Sequence, residues 1–223
     1  MTSTTGHWPA VYAEAARDAS CALDSQRFRR HVFPHRRAVY QALAHHQAPQ
    51  VLFIGCIDSR VAPAELCHAG PGEMFVERTP GNLVPVYAEA AVGVSASIEY
   101  AVVALEVAHI IVCGHSDCGA LKGLMHPEKL QVLPAVGRWL SHATEALAEV
   151  DAAHPQADEA TRLALLAQAN VRHQLAHLAT HPSVRARMAQ GLLSLHGWVY
   201  DIPTGQVEQY DSATGKFLLW PPG

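Results

Sequence analysis

Two short segments of this 223-residue chain carry side chains that bind transition metals. Cys56 to Arg60 (CIDSR) and His115 to Cys118 (HSDC) each follow a run of apolar, β-prone residues. Together they supply two thiols and one imidazole, a ligand set that selects zinc. Three protein ligands leave one coordination position for water, which is typical of a catalytic zinc site. We therefore predict an enzyme in which Cys56, His115 and Cys118 bind one zinc ion.

A carboxylate and a guanidinium accompany the predicted ligands. Two thiolates formally cancel the charge of zinc, so water bound there is less acidified than at a site built from neutral histidines. Asp58 can accept a hydrogen bond from that water and orient it, while Arg60 holds Asp58 ionised through a charge-assisted fork. Two alternatives remain open: Asp58 released from Arg60 can bind zinc and displace the water, or the pair is an ordinary surface salt bridge.

Buried strands are predicted directly before both segments. Short uncharged runs of apolar residues are typical of parallel strands that are covered on both faces, and such runs lie at residues 50–55 and 108–114. A further strand is predicted at residues 73–78. In open α/β sheets with right-handed crossovers, reacting groups gather at the carboxyl ends of the strands. The distance in sequence between the two segments is therefore no obstacle to one shared metal.

The pattern of elements predicts an α/β fold with a mostly parallel central β-sheet, flanked by helices. Residues 192–202 predict a fourth strand, and residues 207–210 predict an antiparallel edge strand. The chain is expected to form one domain, in which residues 1–46 are an N-terminal helical arm packing on a partner subunit and residues 47–223 are the catalytic core. Further helices are expected at residues 64–67, 88–106, 120–124, 134–150 and 157–179.

Composition narrows the possible partners and the compartment. Hydrophobic residues make up 49% of the chain and charged residues 16%, which suggests that another subunit covers part of the surface. The net charge of −4 argues against a nucleic-acid partner. The polar N-terminus lacks the apolar centre of a signal peptide, and no later stretch is long and apolar enough for a membrane span. Five cysteines do not indicate a disulfide framework, so we expect a cytoplasmic protein with reduced thiols.

Longer motifs surround the metal-binding segments. They run from Gln47 to Gly123 and continue near the C-terminus, and they comprise Cys-x-Asp-x-Arg, GEMFV (72–76), GNLVP (81–85), SIEYA (97–101), CGH (113–115) and HGWVY (196–200). With these motifs the chain resembles the β-class carbonic anhydrases, and within them it looks closest to bacterial and plant-like members. The resemblance covers nearly the whole chain except its ends.

The resemblance implies an activity, an assembly and a substrate slot. It implies reversible hydration of carbon dioxide to bicarbonate, one zinc ion per subunit, and an obligate dimer with active sites at the interface that often pairs into larger assemblies. Gln47 matches a side chain that donates a hydrogen bond to a substrate oxygen from the interface. Phe75, Pro80 and Tyr100 match positions that line an apolar slot, and Gly119 is also assigned to substrate binding. For Phe75 and Tyr100, ordinary core packing is the alternative.

The chain departs from the family pattern at several positions. Ile57 stands where serine is common, and Thr79-Pro80 stands where asparagine and a small or branched residue are usual, which changes the shape of the slot. Members regulated by bicarbonate have a tryptophan three residues before the first cysteine ligand, where this chain has Phe53, although Arg78 and Tyr200 match the other two residues of that anion site. We therefore predict an open, water-bound site as the resting state near neutral pH.

Two other functions remain open at this point. The same zinc and Asp-Arg groups suit a hydrolase of carbon disulfide or carbonyl sulfide, and a structural zinc in an interaction module would have a fourth protein ligand. Histidines 173, 177 and 181, spaced four apart, are interpreted as a solvated helix face rather than a second metal site. Cys21, Cys67 and Cys113 are interpreted as packing residues or free thiols. His68 is a weak candidate for passing protons to buffer.

Overall fold

The computed structural model describes residues 25–87 and 92–220 of the chain. The chain divides into two compact units, Met1–His46 and Gln47–Gly223. The predicted packing or free thiol at Cys21 lies outside the described residues. The prediction of a single domain stays a prediction.

The described part of the first unit is helical, as the sequence predicts for this segment. It consists of α1 (Ser25–Arg27), a π-helical turn (Phe28–Val32) and α2 (Phe33–Ala42). The rings of Phe28, Phe33 and Tyr40 contact one another, with centroids 5.6 to 6.3 Å apart. Residues 25–42 hold five arginines and no acidic residue, so this segment is locally basic although the whole chain is acidic. Its packing on a partner subunit stays a prediction.

A six-stranded sheet forms the centre of the second unit. The strands are β1 (Val51–Cys56), β2 (Met74–Thr79), β3 (His109–His115), β4 (Ser194–Tyr200), β5 (Val207–Asp211) and β6 (Lys216–Trp220). Their order is β2-β1-β3-β4-β5-β6; the first four run parallel, and β4, β5 and β6 pair antiparallel. The predicted mostly parallel sheet with an antiparallel edge is thus confirmed. The sequence analysis missed β6, which follows a tight turn after β5 and is itself the edge strand.

Helices cover the sheet, and two of the predicted helices differ from those observed. They are α3 (Pro63–Leu66), α4 (Val92–Glu99), α5 (Gly119–Met125), α6 (Pro134–Leu140), α7 (Thr144–Ala153), α8 (Glu159–Leu178) and α9 (Pro182–Ala189). The helix expected at residues 88–106 is described from Val92, and it changes to a π-helical turn at Tyr100–Ala104. The helix expected at residues 134–150 was wrong as one element, because a 3-10 turn at Ser141–Ala143 separates α6 from α7.

The two faces of the sheet bury different side chains because strand residues alternate between faces. Leu52 and Ile54 of β1 belong to a large apolar core on the face that α8 covers. Phe53 belongs to a separate, smaller cluster with Ile111 and Cys113 of β3. Both β1 and β3 are buried along nearly their whole length, which explains their charge-free sequences.

Glycines in β3 and β4 allow α8 to lie close to the sheet. A Cβ atom on Gly197 would lie 2.7 Å from Cγ1 of Val171 and 2.9 Å from Cδ1 of Leu175. A Cβ atom on Gly114 would lie 3.0 Å from Cγ2 of Val171. Gly114 directly precedes His115. The close packing at Gly114 therefore fixes the position of the carboxyl end of β3 as well as that of α8.

Candidate metal centre

The three predicted metal ligands meet at the carboxyl ends of two neighbouring parallel strands. β1 ends at Cys56 and β3 ends at His115, and these strands pair with Gly55 opposite Cys113. Cys118 follows in a turn and directly precedes α5. The possible ligand atoms of Cys56, His115 and Cys118 all lie within 4.8 Å of one another, and all three residues are buried.

The imidazole of His115 is oriented for metal binding. Its Nδ1 lies 2.8 Å from the carbonyl oxygen of Ser116, and because a carbonyl can only accept, Nδ1 donates the hydrogen bond. The other nitrogen, Nε2, is therefore left with a free lone pair. It is buried and has no hydrogen-bond partner. A buried nitrogen of this kind is costly unless a further group binds it, and a metal ion fits that requirement.

The two cysteine side chains form a site that favours a nearby cation. Their sulfur atoms lie 3.9 Å apart. The hydrogen bond from Cys118 is the main cause that lowers the pKa of Cys56 to about 4, with help from His115 and from the backbone N–H groups of Asp58 and Gly81, while burial acts in the opposite direction. The resulting Cys56 thiolate and burial raise the pKa of Cys118. A second thiolate therefore requires a positive charge beside it, and zinc supplies one.

Arg60 donates hydrogen bonds to the carboxylate of Asp58, beside the predicted metal ligands. Its Nε donates to Oδ1 of Asp58 at 2.9 Å and its Nη2 donates to Oδ2 at 2.7 Å, while the Arg60 backbone N–H donates to Oδ1 at 3.0 Å. The side-chain hydrogen bonds from Arg60 are the main cause that lowers the pKa of Asp58 to about 2. Oδ2 lies 3.9 Å from Nε2 of His115. An ionised carboxylate thus stands next to the metal-binding nitrogen.

Arg60 also joins the two ligand segments, which the sequence analysis did not foresee. Its Nη1 donates to Oδ2 of Asp117 at 2.9 Å, and its Nη2 donates to the Asp117 carbonyl at 3.1 Å. Lys122 donates to the other carboxylate oxygen of Asp117. Hydrogen bonds from Lys122 and Arg60 lower the pKa of Asp117. The sequence did contain a signal for this contact. Asp117 lies between two predicted metal ligands, and a carboxylate at that position can pair with the guanidinium of Arg60.

Arg78 supports the backbone of the first ligand segment. It lies on β2 opposite Gly55 of β1. Its Nε and Nη2 donate to the carbonyl of Cys56 at 3.0 and 2.7 Å, and Nη2 also donates to the carbonyl of Asp58 at 2.7 Å. No pattern in the sequence indicates this role, because it depends on the register between two strands.

The loop after β2 brings a further donor to the first ligand. The backbone N–H of Gly81 points to Sγ of Cys56 at 3.4 Å, and Gly81 has a φ of 71°, which glycine adopts readily. Trp139 donates from Nε1 to the carbonyl of Pro80 at 2.9 Å. Asn170 of α8 donates to the carbonyl of Gly81 at 3.0 Å. Hydrogen bonds from two helices therefore hold this loop against the metal site.

A cavity of about 470 Å³ opens at the candidate centre. Its wall contains the ligand Cys56 together with Asp58, and Ile57 stands at its side with 55% of its surface exposed. Most of the remaining wall is apolar, with two lysines at its edge; the other lining residues are Pro80, Gly119, Ala120, Lys122, Gly123, Lys129, Leu130, Leu133, Val136 and Leu140. An apolar space with a few polar groups suits a small uncharged molecule.

Comparisons with known proteins agree with this geometry. The family model described as Carbonic anhydrase matches residues 51–207 of the chain. The solved structure of the beta-carbonic anhydrase CcaA covers 87% of this chain and 95% of its own, at 40% identity and a TM-score of 0.84. This chain belongs to the β-carbonic anhydrase family.

Other carbonic anhydrases are also similar to the chain. A carbonic anhydrase of Pseudomonas aeruginosa is 50% identical over 192 residues, which is 86% of this chain and 87% of that protein. One of two tetrameric β-carbonic anhydrases of Sordaria macrospora is 30% identical, covers 89% of this chain and 95% of its own, and has a TM-score of 0.69. The chain is a carbonic anhydrase, and its family is zinc-dependent.

The predicted substrate residues of this β-carbonic anhydrase fall into two groups. Pro80 and Gly119 line the cavity at the metal centre. Phe75 and Tyr100 contact each other, with ring centroids 5.9 Å apart, and Tyr100 is 48% exposed. Gln47 is exposed. Within the described residues, Gln47, Phe75 and Tyr100 do not line that cavity, so their part in substrate binding stays a prediction.

The interpretation of three histidines as a solvated helix face was wrong. His181 is buried with 1% exposure, and it lies beyond the end of α8. His177 donates from Nδ1 to the carbonyl of Val84 at 2.7 Å. His173 is partly exposed, and its Nε2 lies 2.9 Å from Oε2 of Glu149. The four-residue spacing of the histidines gives no information about the loop and the neighbouring helix that pack on this side of α8.

Two further observations concern thiols and membranes. Cys67 and Cys113 are free thiols, as predicted, and burial raises the pKa of both. Across residues 25–87 and 92–220, no helix has the length and apolarity needed to cross a bilayer.

Proposed function

We propose that this β-carbonic anhydrase catalyses the reversible hydration of carbon dioxide to bicarbonate and a proton, with one zinc ion per subunit held by Cys56, His115 and Cys118. The observation that carries the proposal is the buried, unpartnered Nε2 of His115 beside two thiols, one of which, Cys56, lines an apolar cavity. When bound, zinc supplies the Lewis acidity that makes water a nucleophile near neutral pH.

Asp58 positions the attacking water in this proposal, and Arg60 positions Asp58. Because the pKa of Asp58 is lowered to about 2, its carboxylate is ionised at neutral pH and accepts a hydrogen bond from the water without taking its proton permanently. Carbon dioxide then lies in the apolar cavity beside Pro80 and Gly119.

The water-bound form is the proposed resting state. Both carboxylate oxygens of Asp58 accept hydrogen bonds from Arg60, at 2.9 and 2.7 Å. A carboxylate held at both oxygens has to break these bonds before it can displace water from the metal. The additional contacts between Arg60 and Asp117 keep the guanidinium in place and oppose that change.

The active enzyme is proposed to be at least a homodimer, with active sites at the interface. In this assembly Gln47 donates a hydrogen bond to a substrate oxygen from the interface, and Phe75 and Tyr100 line the substrate slot. The exposure of Tyr100 and Ile57 supports a covering partner, and two relatives from Sordaria macrospora are described as tetrameric. Neither nucleic acid nor a membrane is proposed as a partner, and the proposed location is the cytoplasm.

Stopped-flow carbon dioxide hydration, combined with metal analysis across pH, tests the proposal. We expect hydration that depends on one equivalent of zinc per chain and is lost after chelation. A zinc-loaded protein that hydrolyses carbon disulfide or carbonyl sulfide but does not hydrate carbon dioxide would contradict the substrate. A fully loaded protein without any of these activities would favour a structural zinc.

A further inference from the structure

One hydrogen bond beside the metal centre comes from a tryptophan that has no part in the chemistry described so far. Trp139 lies on α6, outside the motifs at residues 47–123 and 196–200. Its Nε1 donates to the carbonyl of Pro80 at 2.9 Å. Trp139 is not among the described residues that line the cavity, so it is not placed to touch the substrate. What it holds is the backbone of the loop after β2.

The carbonyl of Pro80 and the N–H of Gly81 belong to the same peptide group. In a trans peptide these two groups lie in one plane and point in opposite directions. The Gly81 N–H points to Sγ of Cys56 at 3.4 Å. One rigid plane therefore accepts a hydrogen bond from Trp139 at one edge and offers a donor to a proposed metal ligand at the other. Rotation of this peptide group would break both contacts at once.

The next peptide group along the chain is held as well. Nδ2 of Asn170 on α8 donates to the carbonyl of Gly81 at 3.0 Å. Asn170 is fully buried, and its Oδ1 accepts a hydrogen bond from Nε2 of Gln174 at 2.9 Å. Gly81 adopts its φ of 71° between these two peptide groups. The conformation that directs the N–H to the sulfur is thus fixed on both sides of Gly81, and Trp139 holds the peptide group that carries the donor.

The two hydrogen bonds of this peptide group also act on each other. Hydrogen bonds in series strengthen one another because each polarises the next. A donor on the Pro80 carbonyl makes the Gly81 N–H a better donor, and a thiolate sulfur is a charged acceptor for it. Groups that donate to a metal ligand tune the affinity for the metal and the basicity of that ligand. Trp139 can therefore influence the metal centre without contacting it.

We propose that Trp139 is a positioning residue for the ligand Cys56, and that it acts through the peptide group between Pro80 and Gly81. This inference rests on the proposed function only through its zinc ligands, and it does not depend on which small molecule reacts there. Because Pro80 and Cys56 both line the cavity, the same peptide group also joins the cavity wall to the ligand.

Trp139→Phe in the full-length protein tests this role, because it removes the N–H donor and keeps an aromatic ring. The first measurement is the absorption spectrum of the cobalt-substituted protein, in which charge transfer from thiolate to cobalt reports the electron density on the ligand sulfurs. A sulfur that loses a hydrogen bond holds its electrons less tightly. We therefore expect the charge-transfer band of the variant to move to longer wavelength.

The second measurement is the rate at which the zinc-loaded protein transfers its metal to a chelator. We expect transfer from Trp139→Phe to be about three- to tenfold faster than from wild type, which is the factor that one hydrogen bond contributes. The donor lost here acts on a metal ligand, and loss of such outer contacts lowers metal affinity.

A second variant exchanges only the N–H of the indole. Benzothienylalanine placed at position 139 has sulfur where tryptophan has the N–H, and it preserves the shape of the side chain. We expect the same direction of change in both measurements. Because the packing is retained, this variant separates the lost hydrogen bond from the effect of a smaller ring.

Trp198→Phe is the matched control. Trp198 lies on β4, and its Nε1 donates to Oε1 of Gln209 at 3.2 Å. The substitution removes the same kind of donor away from the loop after β2. It should keep the wild-type charge-transfer band and the wild-type rate of zinc transfer. Thermal midpoints of the zinc-loaded proteins show whether any variant has lost its fold.

The pattern across these variants decides the role of Trp139. A shifted band and faster zinc transfer in both position-139 variants, with neither change in Trp198→Phe, would support it. Wild-type values in both position-139 variants would overturn it and leave the proposed function standing. Faster zinc transfer without a shifted band, or the same changes in Trp198→Phe, would also overturn it, because these patterns indicate general loosening of the fold. Wild-type protein without thiolate-to-cobalt charge transfer would overturn the zinc ligands and with them the proposed function.

Discussion

At the scale of single residues, the metal centre is a set of side chains whose charges depend on one another. Cys56 is readily ionised, Cys118 requires a cation before it ionises, and the Nε2 lone pair of His115 is buried without a partner. Without a metal, a second thiolate has no positive charge beside it and the His115 nitrogen has no partner. The ion pair of Asp58 and Arg60 forms without the metal. Zinc binding and the orientation of the water can therefore be tested with separate variants.

The first prediction concerns Arg60. Arg60→Ala should reduce kcat/KM for carbon dioxide by about a hundredfold or more, because Asp58 loses both side-chain hydrogen bonds and no longer holds one orientation. Zinc content should stay at one per chain. Arg60→Lys is the control that keeps the charge but not the fork, and it should recover only part of the activity. Wild-type activity in Arg60→Ala would remove the assigned role of the pair.

The second prediction concerns the ligand set. Cys118→Ser should lower the zinc content after dialysis against a chelator to well below that of wild type, because an alcohol is a much weaker zinc ligand than a thiolate. Cys67→Ser, which changes a free thiol outside the centre, should keep full zinc content. The measurement is metal analysis of both variants and wild type. Equal retention of zinc in Cys118→Ser would show that Cys118 is not a ligand.

At the scale of elements, strand ends and a closely packed helix place the site. The pairing of β1 with β3 brings Cys56 and His115 together, and α8 both packs on Gly114 and holds the loop at Gly81 through Asn170. The helix thus fixes the strand that carries one ligand and the loop whose N–H contacts another.

The third prediction tests this packing. Gly197→Ala should lower the free energy of unfolding by about 1–3 kcal/mol, because the new methyl group would lie within 3 Å of Val171 and Leu175 side-chain atoms. Gly93→Ala is the control, since nothing lies within 4 Å of the added Cβ there. Chemical denaturation of the three proteins gives the comparison. Unchanged stability of Gly197→Ala would mean that α8 moves away at little cost.

At the scale of the whole molecule, stability depends on pH through groups outside the metal site. His181 is buried, and its Nδ1 donates to the carbonyl of His177 at 3.2 Å while its Nε2 accepts from Ser95 at 3.2 Å. Burial is the main cause that lowers the pKa of His181 below its ordinary value of 6.5. The neutral imidazole is thus the form that the folded protein accommodates.

The fourth prediction follows from the sign of this shift. Below about pH 6.5 the unfolded chain binds a proton at His181 that the folded chain resists, so stability falls as the pH decreases toward the lowered folded-state pKa. Thermal unfolding between pH 7.5 and 5.5 should show a smaller loss of stability in His181→Gln than in wild type. The same slope in both proteins would assign the acid sensitivity to other groups, such as His196, whose pKa burial also lowers.

Much of this protein could be predicted from the sequence. The charge-free runs before Cys56 and His115 predict buried parallel strands, and two thiols with an imidazole predict zinc, because burial and ligand chemistry depend on residue type and local spacing. Motifs such as GNLVP and HGWVY add the resemblance to the family. The short strand β6 and the break between α6 and α7 were missed, because their formation depends on tertiary packing more than on local residue patterns.

What the sequence alone determined was which residue types lie at strand ends, and hence the fold class and the three candidate ligands. Only the tertiary structure decided which partners these residues have: Arg78 on the carbonyl of Cys56, Asp117 on Arg60, and the N–H of Gly81 on the Cys56 sulfur. These contacts join residues far apart in the chain, and their existence depends on strand register and helix position. Neither quantity is contained in local residue patterns.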